Sequence, residues 1–214
     1  MTADPAVIVP EQRPAVVWLT GVSGAGKSTI AHELEAKLRG LGRAVGTVDG
    51  DDLRGGLCSD LGFSLEDREE NVRRAGEVAR IMVRSGMIVI VSLISPCRAS
   101  RAEVRGLFEP GEFFEAFVDT PLDVAELRDP KGLYRRARSG RIEQFTGIDS
   151  PYEPPEAPEI RLDTVEHTPG ECALIVLDAL VQAHRLAGPI PAGSERHETR
   201  ARKGFPFRVA VKND

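Results

Sequence analysis

The sequence is short of several things, and each shortage excludes a class. Three cysteines in 214 residues, Cys58, Cys97 and Cys172, are too few and too scattered for a disulfide framework or a zinc site. They suit a reducing cytosol. The most apolar stretch, 87–94, is far shorter than a bilayer span. No basic-then-apolar leader opens the chain. There is no basic excess either: 28 Lys and Arg stand against 33 Asp and Glu, a net charge of −5. A general nucleic-acid binder needs that excess, so an anionic ligand must be held by a local cluster of donors. The expectation is a soluble cytoplasmic protein with no nucleic-acid or membrane partner.

What is present is an ordinary globular composition with a repeating pattern. Residues 1–13 read as a flexible lead-in, 14–187 as one domain and 188–214 as a polar tail. In the tail, six basic and two acidic residues fall between Arg196 and Asp214. Short runs rich in β-branched residues at 15–20, 44–48, 87–93, 113–118 and 160–162 predict buried strands. Apolar residues at helical spacing predict helices over 27–39, 66–84, 99–108, 122–127, 132–139 and 170–186. Strands alternating with helices predict a doubly wound parallel sheet in three α/β/α layers. Four prolines within 149–158 predict a rigid loop.

The sharpest local signal is Gly21-Val22-Ser23-Gly24-Ala25-Gly26-Lys27-Ser28, a full Walker A pattern between a strand and a helix. Glycines let successive amides point at phosphate oxygens, and the helix N-terminus adds its positive end. Lys27 would reach the β- and γ-phosphates, and the Ser28 hydroxyl would face Mg²⁺. The pattern predicts ATP and Mg²⁺ but names no acceptor, because many chemistries share it.

Other segments bear on the acceptor. Strand two ends in Asp49-Gly50-Asp51-Asp52-Leu53-Arg54, which reads either as a turn with capping aspartates or as acids at a strand end facing ligand. Arg68, Asn71 and Arg74 sit three apart on a helix, either a solvated face or a cluster for an anion. Ser95-Pro96 ends strand three. Arg128, Lys131, Arg135, Arg136 and Arg138 crowd one segment, as in a basic lid or a surface helix. Phe145 beside Gly147 could stack on a base or anchor a loop.

Taken in order, several motifs resemble adenylylsulfate kinases, the APS kinases of sulfate assimilation. They are Asp49-Gly50-Asp51, Leu61-Gly62-Phe63-Ser64, Asp67-Arg68, Glu70-Asn71-Val72-Arg73-Arg74, Ile94-Ser95-Pro96, Asp129-Pro130-Lys131-Gly132-Leu133-Tyr134 and Phe145-Thr146-Gly147-Ile148-Asp149. The resemblance covers about 13–186. It implies ATP-dependent phosphorylation of the 3′-hydroxyl of adenosine 5′-phosphosulfate, giving 3′-phosphoadenosine 5′-phosphosulfate and ADP.

Carried over by position, Gly21, Ser23, Gly24, Ala25, Gly26, Lys27, Ser28 and Thr29 hold ATP, with Arg128 and His167 by its base. Ser28 and Asp51 face the metal. Asp51, Arg54, Phe63, Arg68, Asn71, Ile94, Ser95, Lys131 and Phe145 hold the acceptor, with Phe63 and Phe145 clamping its adenine. Lys27, Asp51 and Ser95 are the catalytic set. Ser95 matches the family's phosphoryl-carrying serine; a single in-line transfer needs no such stop, so a positioning hydroxyl is the preferred reading. Arg68, Arg74 and Lys131 supply the neutralising charge. The resemblance also implies a homodimer, with a separate ATP sulfurylase as candidate partner.

Four residues depart from the family pattern: Asp52, Gly55, Cys58 and Cys97. They leave two further readings, a kinase with a drifted nucleotide acceptor and a non-catalytic ATP-binding partner subunit.

Overall fold

The structure is a computed structural model, and it describes residues 12–186. Five parallel strands form one sheet in the order β2-β3-β1-β4-β5. They are β1 (Ala15–Thr20), β2 (Val45–Asp49), β3 (Ile88–Ser92), β4 (Phe113–Asp119) and β5 (Ile160–Asp163). The helices are α1 (Lys27–Gly40), α2 (Gly50–Gly55), α3 (Leu65–Arg84), α4 (Arg98–Arg105), α5 (Leu122–Arg128), α6 (Leu133–Arg138) and α7 (Pro169–Gln182).

β1 is central and buried on both faces, which is why it reads as an unbroken apolar run. Ala15, Val17 and Leu19 join the layer that α1 and α7 cover. Val16 and Trp18 join Val72, Ala75 and Ala79 of α3 and Val104 of α4 on the other face. The doubly wound expectation is therefore met, with a core on each side of the sheet. Every strand points the same way, so the loops after β1, β2 and β3 converge at one edge.

Three elements differ from expectation, each for a local reason. The short α2 falls where the sequence offered either a turn or acids at a strand end, because the Asp49 carboxylate caps it by accepting from the Asp51 amide at 2.9 Å. α4 stops at Arg105, before Leu107 and Phe108; Phe108 instead packs on Phe113. α7 stops at Gln182, where Ala183–Arg185 turn and His184 takes a left-handed φ of 54°. Leu186 stays buried because the chain returns to bridge Gln12.

Of the expected lead-in, Gln12 and Arg13 are tied down: Gln12 Nε2 donates to the carbonyls of Ala44 and Gly86 at 2.9 and 2.8 Å. The rest of it, and the expected tail, lie outside the described residues.

The proline-rich stretch is an extended strap, as expected, and arginines hold it down. Arg98 donates to Pro154 O and Glu156, Arg101 to Glu153 O, and Arg105 to Glu159. Arg101 also donates to Ser95 O at 2.6 Å, which ties the strap to the end of β3.

Candidate active site

One cleft of 1290 Å³ opens along the carboxyl edge of the sheet. That exceeds an ordinary single-ligand pocket. Its donor end is built by the β1–α1 loop. Gly26 caps α1 at φ 103°, and a Cβ on Gly24 would lie 2.8 Å from the Ala125 carbonyl, so the loop can close only with glycines there. Ser23, Gly24, Ala25, Gly26, Lys27, Ser28 and Thr29 all line the cleft. Gly21 does not; its carbonyl sits behind, accepting from Lys27 Nζ at 2.9 Å.

Lys27 also donates to Val22 O at 2.8 Å. Burial pushes its ammonium down to about 8, only partly offset by the Asp49 carboxylate. A buried cation satisfied by two carbonyls gains when phosphate oxygens replace them.

The Ser28 hydroxyl donates to Asp49 Oδ2 at 2.8 Å and lies 3.3 Å from Ser92 Oγ. β2 and β3 pair Asp49 with Ser92, so the sheet register itself gathers this group. Among the described residues no group of three or more His, Cys, Asp or Glu forms a metal cage. A magnesium ion carried in by phosphates needs only one or two protein oxygens. Ser28 and Asp49 meet that description. Asp51, expected at the metal, lines the cleft with its carboxylate ion-paired to Lys131 of the lid. Asp49, which the sequence did not single out for the metal, is the acid hydrogen-bonded to Ser28. It was visible as the first acid of its motif, but only strand register puts it against Ser28.

The acceptor end draws on four separate segments. Arg54 of α2 donates to Gly62 O at 2.8 Å and stands 4.3 Å from the centroid of the Phe63 ring. Arg68 of α3 donates to Phe63 O at 3.0 Å and to Gln144 O at 2.7 Å. Neither arginine is ion-paired to a carboxylate among the described residues, and burial lowers the pKa of both. Two guanidinium groups hydrogen-bonded to carbonyls, beside each other, form a positive locus that nearby carboxylates offset only at a distance. Asn71, buried on the same helix, lines the cleft with its Oδ1 unpartnered.

Phe63 is 56% exposed, whereas Phe145 is buried edge-on against Tyr134 at 5.0 Å. Both line the cleft, so Phe145 anchors its loop and borders the cleft together. Tyr134 in turn donates to Ser23 O at 2.9 Å, joining lid to cradle. Asp129 caps the lid helix by accepting from the amides of Tyr134 and Arg135, each at 3.1 Å.

Ile94 and Ser95 line the cleft at the end of β3. Ser95 sits at φ 40°, 2% exposed, with its hydroxyl accepting from Trp18 Nε1 at 3.1 Å. A hydroxyl so engaged supports positioning over phosphoryl carriage. Arg128 donates to Thr164 O at 2.7 Å and lines the cleft with His167.

Arg74 corrects an expectation. It donates to Asp60 and Glu70, is held well above the usual arginine range by them, and does not line the cleft. Each step of three along a helix rotates a side chain by about 60°, so Arg74 has turned well away from Arg68. Of the departures from the family pattern, Asp52 is exposed and does not line the cleft, Gly55 has open space around it, and Cys58 is buried. Cys97 precedes α4, outside the cleft lining.

A parallel sheet in this order, with a phosphate cradle after β1 and a basic lid between β4 and β5, defines a P-loop kinase. Residues 13–163 match the model of the adenylylsulphate kinase family. The chain belongs to the adenylylsulfate kinase family. It is 55% identical over 174 residues to the adenylyl-sulfate kinase of Vibrio cholerae, covering 81% of each chain. It is 54% identical to the bifunctional enzyme NodQ of Azospirillum brasilense over 169 residues, 79% of this chain and 27% of that larger enzyme. Among solved structures it resembles the Mycobacterium tuberculosis APS kinase CysC in complex with AMPPNP and APS. There the TM-score is 0.77 and the identity 47%, over 80% of this chain and 99% of the other.

Proposed function

We propose that the chain transfers the γ-phosphoryl group of ATP to the 3′-hydroxyl of adenosine 5′-phosphosulfate, giving 3′-phosphoadenosine 5′-phosphosulfate and ADP. The observation that carries this is the charge of the cleft. Seven cationic side chains line it, Lys27, Arg54, Arg68, Arg128, Lys131, Arg136 and Arg141, against three carboxylates, Asp49, Asp51 and Glu143. The surplus is four positive charges in a chain of net −5. ATP with Mg²⁺ brings about two net negative charges and the phosphosulfate acceptor about two more, so the ternary complex matches the surplus.

Magnesium, carried in with ATP, would screen the β- and γ-phosphoryl oxygens beside Ser28 and Asp49. Lys27 exchanges its two carbonyls for phosphate oxygens and stabilises the charge that builds on them. Arg54 and Arg68 hold the phosphosulfate, Asn71 Oδ1 accepts from a nucleoside donor, and Phe63 and Phe145 grip the adenine. Arg128 and His167 border the base of ATP. Asp51, ion-paired to Lys131, receives the proton of the attacking hydroxyl at its carboxylate. Ser95 and Ile94 shape the acceptor floor.

The test is ADP release from ATP and Mg²⁺ with and without adenosine 5′-phosphosulfate, with the product mass checked. Acceptor-dependent ADP and a product heavier by one phosphate are expected. ATP binding without acceptor-dependent ADP overturns the reading. We further propose a cytoplasmic homodimer supplied by a separate ATP sulfurylase. No helix among the described residues is long and apolar enough to cross a membrane. A Thiobacillus denitrificans relative, 34% identical and with a TM-score of 0.64, is described as a hexameric APS kinase, which supports self-association in the family. Light scattering of the purified protein decides the stoichiometry.

A further inference from the structure

The segment 144–149, between the lid and the strap, is closed at its C-terminal side by backbone bonds from the Ile148, Asp149 and Ser150 amides to Phe145 O, and at its start by one carboxylate. Asp149 Oδ2 accepts from the Gln144 amide at 2.7 Å, and Oδ1 accepts from the Phe145 amide. Gln144 lies in the left-handed region at φ 56°, with an exposed side chain. A non-glycine residue keeps that conformation only where its surroundings impose it. Here the imposed conformation aims the Gln144 carbonyl at Arg68 Nη2, 2.7 Å away. The next residue, Phe145, is fixed edge-on to Tyr134, which is bonded to Ser23 of the cradle.

We propose that Asp149 is a positioning residue for the acceptor: by clasping these two amides it sets both the carbonyl that orients Arg68 and the ring that borders the acceptor pocket. The proposal rests on the kinase reading above. Asp149 acts through the backbone of Gln144, since the bonds of Arg68 run to Phe63 O and Gln144 O. Arg68 is also drawn toward the Asp149 charge and repelled by Arg54, so loss of the carboxylate leaves its direction less determined. The side chain of Gln144 has no part in this; its carbonyl and its φ do.

The experiment compares wild type, D149A, D149N, Q144G and Q144V by steady-state kinetics and by amide hydrogen exchange. D149A should raise KM for adenosine 5′-phosphosulfate about tenfold or more, leave KM for ATP within about twofold, and speed exchange at the Gln144 and Phe145 amides about tenfold. D149N, which keeps one acceptor oxygen, should fall between. Q144G preserves the carbonyl and the left-handed backbone, so its acceptor KM should stay within about twofold of wild type, while β-branched Q144V should raise it. A general loss of packing would move both KM values, or only the fraction of active enzyme. If wild type is active and D149A keeps its acceptor KM, or both KM values rise together, the proposal alone is overturned. If wild type shows no acceptor-dependent ADP, the kinase reading falls and takes this proposal with it.

Discussion

The two ends of the cleft, proposed to take the donor and the acceptor, are built in opposite ways. At the donor end one continuous loop supplies amides, a lysine and a hydroxyl within eight residues, and the start of α1 fixes their directions. At the acceptor end Arg54, Phe63, Arg68 and Phe145 come from α2, the following loop, α3 and the segment after the lid. The hydrogen bonds that join these segments run from side chain to backbone carbonyl: Arg54 to Gly62, and Arg68 to Phe63 and Gln144. A local cradle tolerates change elsewhere, because its geometry is set by neighbouring peptide units. A distributed clamp depends on distant backbone, so a substitution away from the ligand can loosen it.

That contrast can be broken or sharpened in order of effect. Lys27→Ala should lower kcat by about three orders of magnitude or more, since the transition state loses its buried charge partner. The same substitution should raise the melting temperature of the ligand-free protein, because a desolvated ammonium is removed. Its titration offers a companion test. With the free-enzyme pKa lowered to about 8, Lys27 loses its proton as pH rises through 8, so KM for ATP should climb above that pH while KM for the acceptor does not. The stability sign is the reverse of an ion pair's. The unfolded chain holds this proton up to about pH 10.5, so the lysine's contribution to stability improves from about pH 8 upward.

Arg68→Ala should raise acceptor KM by roughly thirty- to a hundredfold, with KM for ATP little changed, reflecting loss of a charge-assisted contact. Arg68→Lys should recover only part, because a lysine cannot bond two carbonyls and an anion from one planar fork. Phe63→Ala should raise acceptor KM about tenfold, the size expected of a half-exposed aromatic contact. Equal changes in both KM values would erase the distinction between the two ends. Asp52→Asn should alter either KM by less than about twofold, because this side chain is exposed and faces away from the cleft.

Much of the fold was legible in the chain. β1 shows why: every side chain from Ala15 to Thr20 is buried, so its composition carries the strand without help. α2 was not legible, because Gly50 and the aspartates look like a turn until Asp49 caps them. Within the site, Lys27 and Ser28 could be read from spacing alone. Asp49 could not be ranked above Asp51, since both are acids at one strand end; the register with Ser92 separates them. Arg68 and Arg74 are likewise alike in sequence. Their fates differ because helical rotation delivers one to the cleft and the other to Asp60 and Glu70.

The sequence by itself therefore determined the alternation of strands and helices, the phosphate cradle and the family. These are properties of neighbouring residues, where the peptide geometry allows few alternatives. Only the tertiary structure decided which acid stands beside Ser28, which arginines are bonded to carbonyls rather than to carboxylates, and how Asp149 holds the backbone behind Arg68. Those outcomes depend on which distant carbonyls and carboxylates the folded sheet brings within about 3 Å, the range over which a hydrogen bond acts.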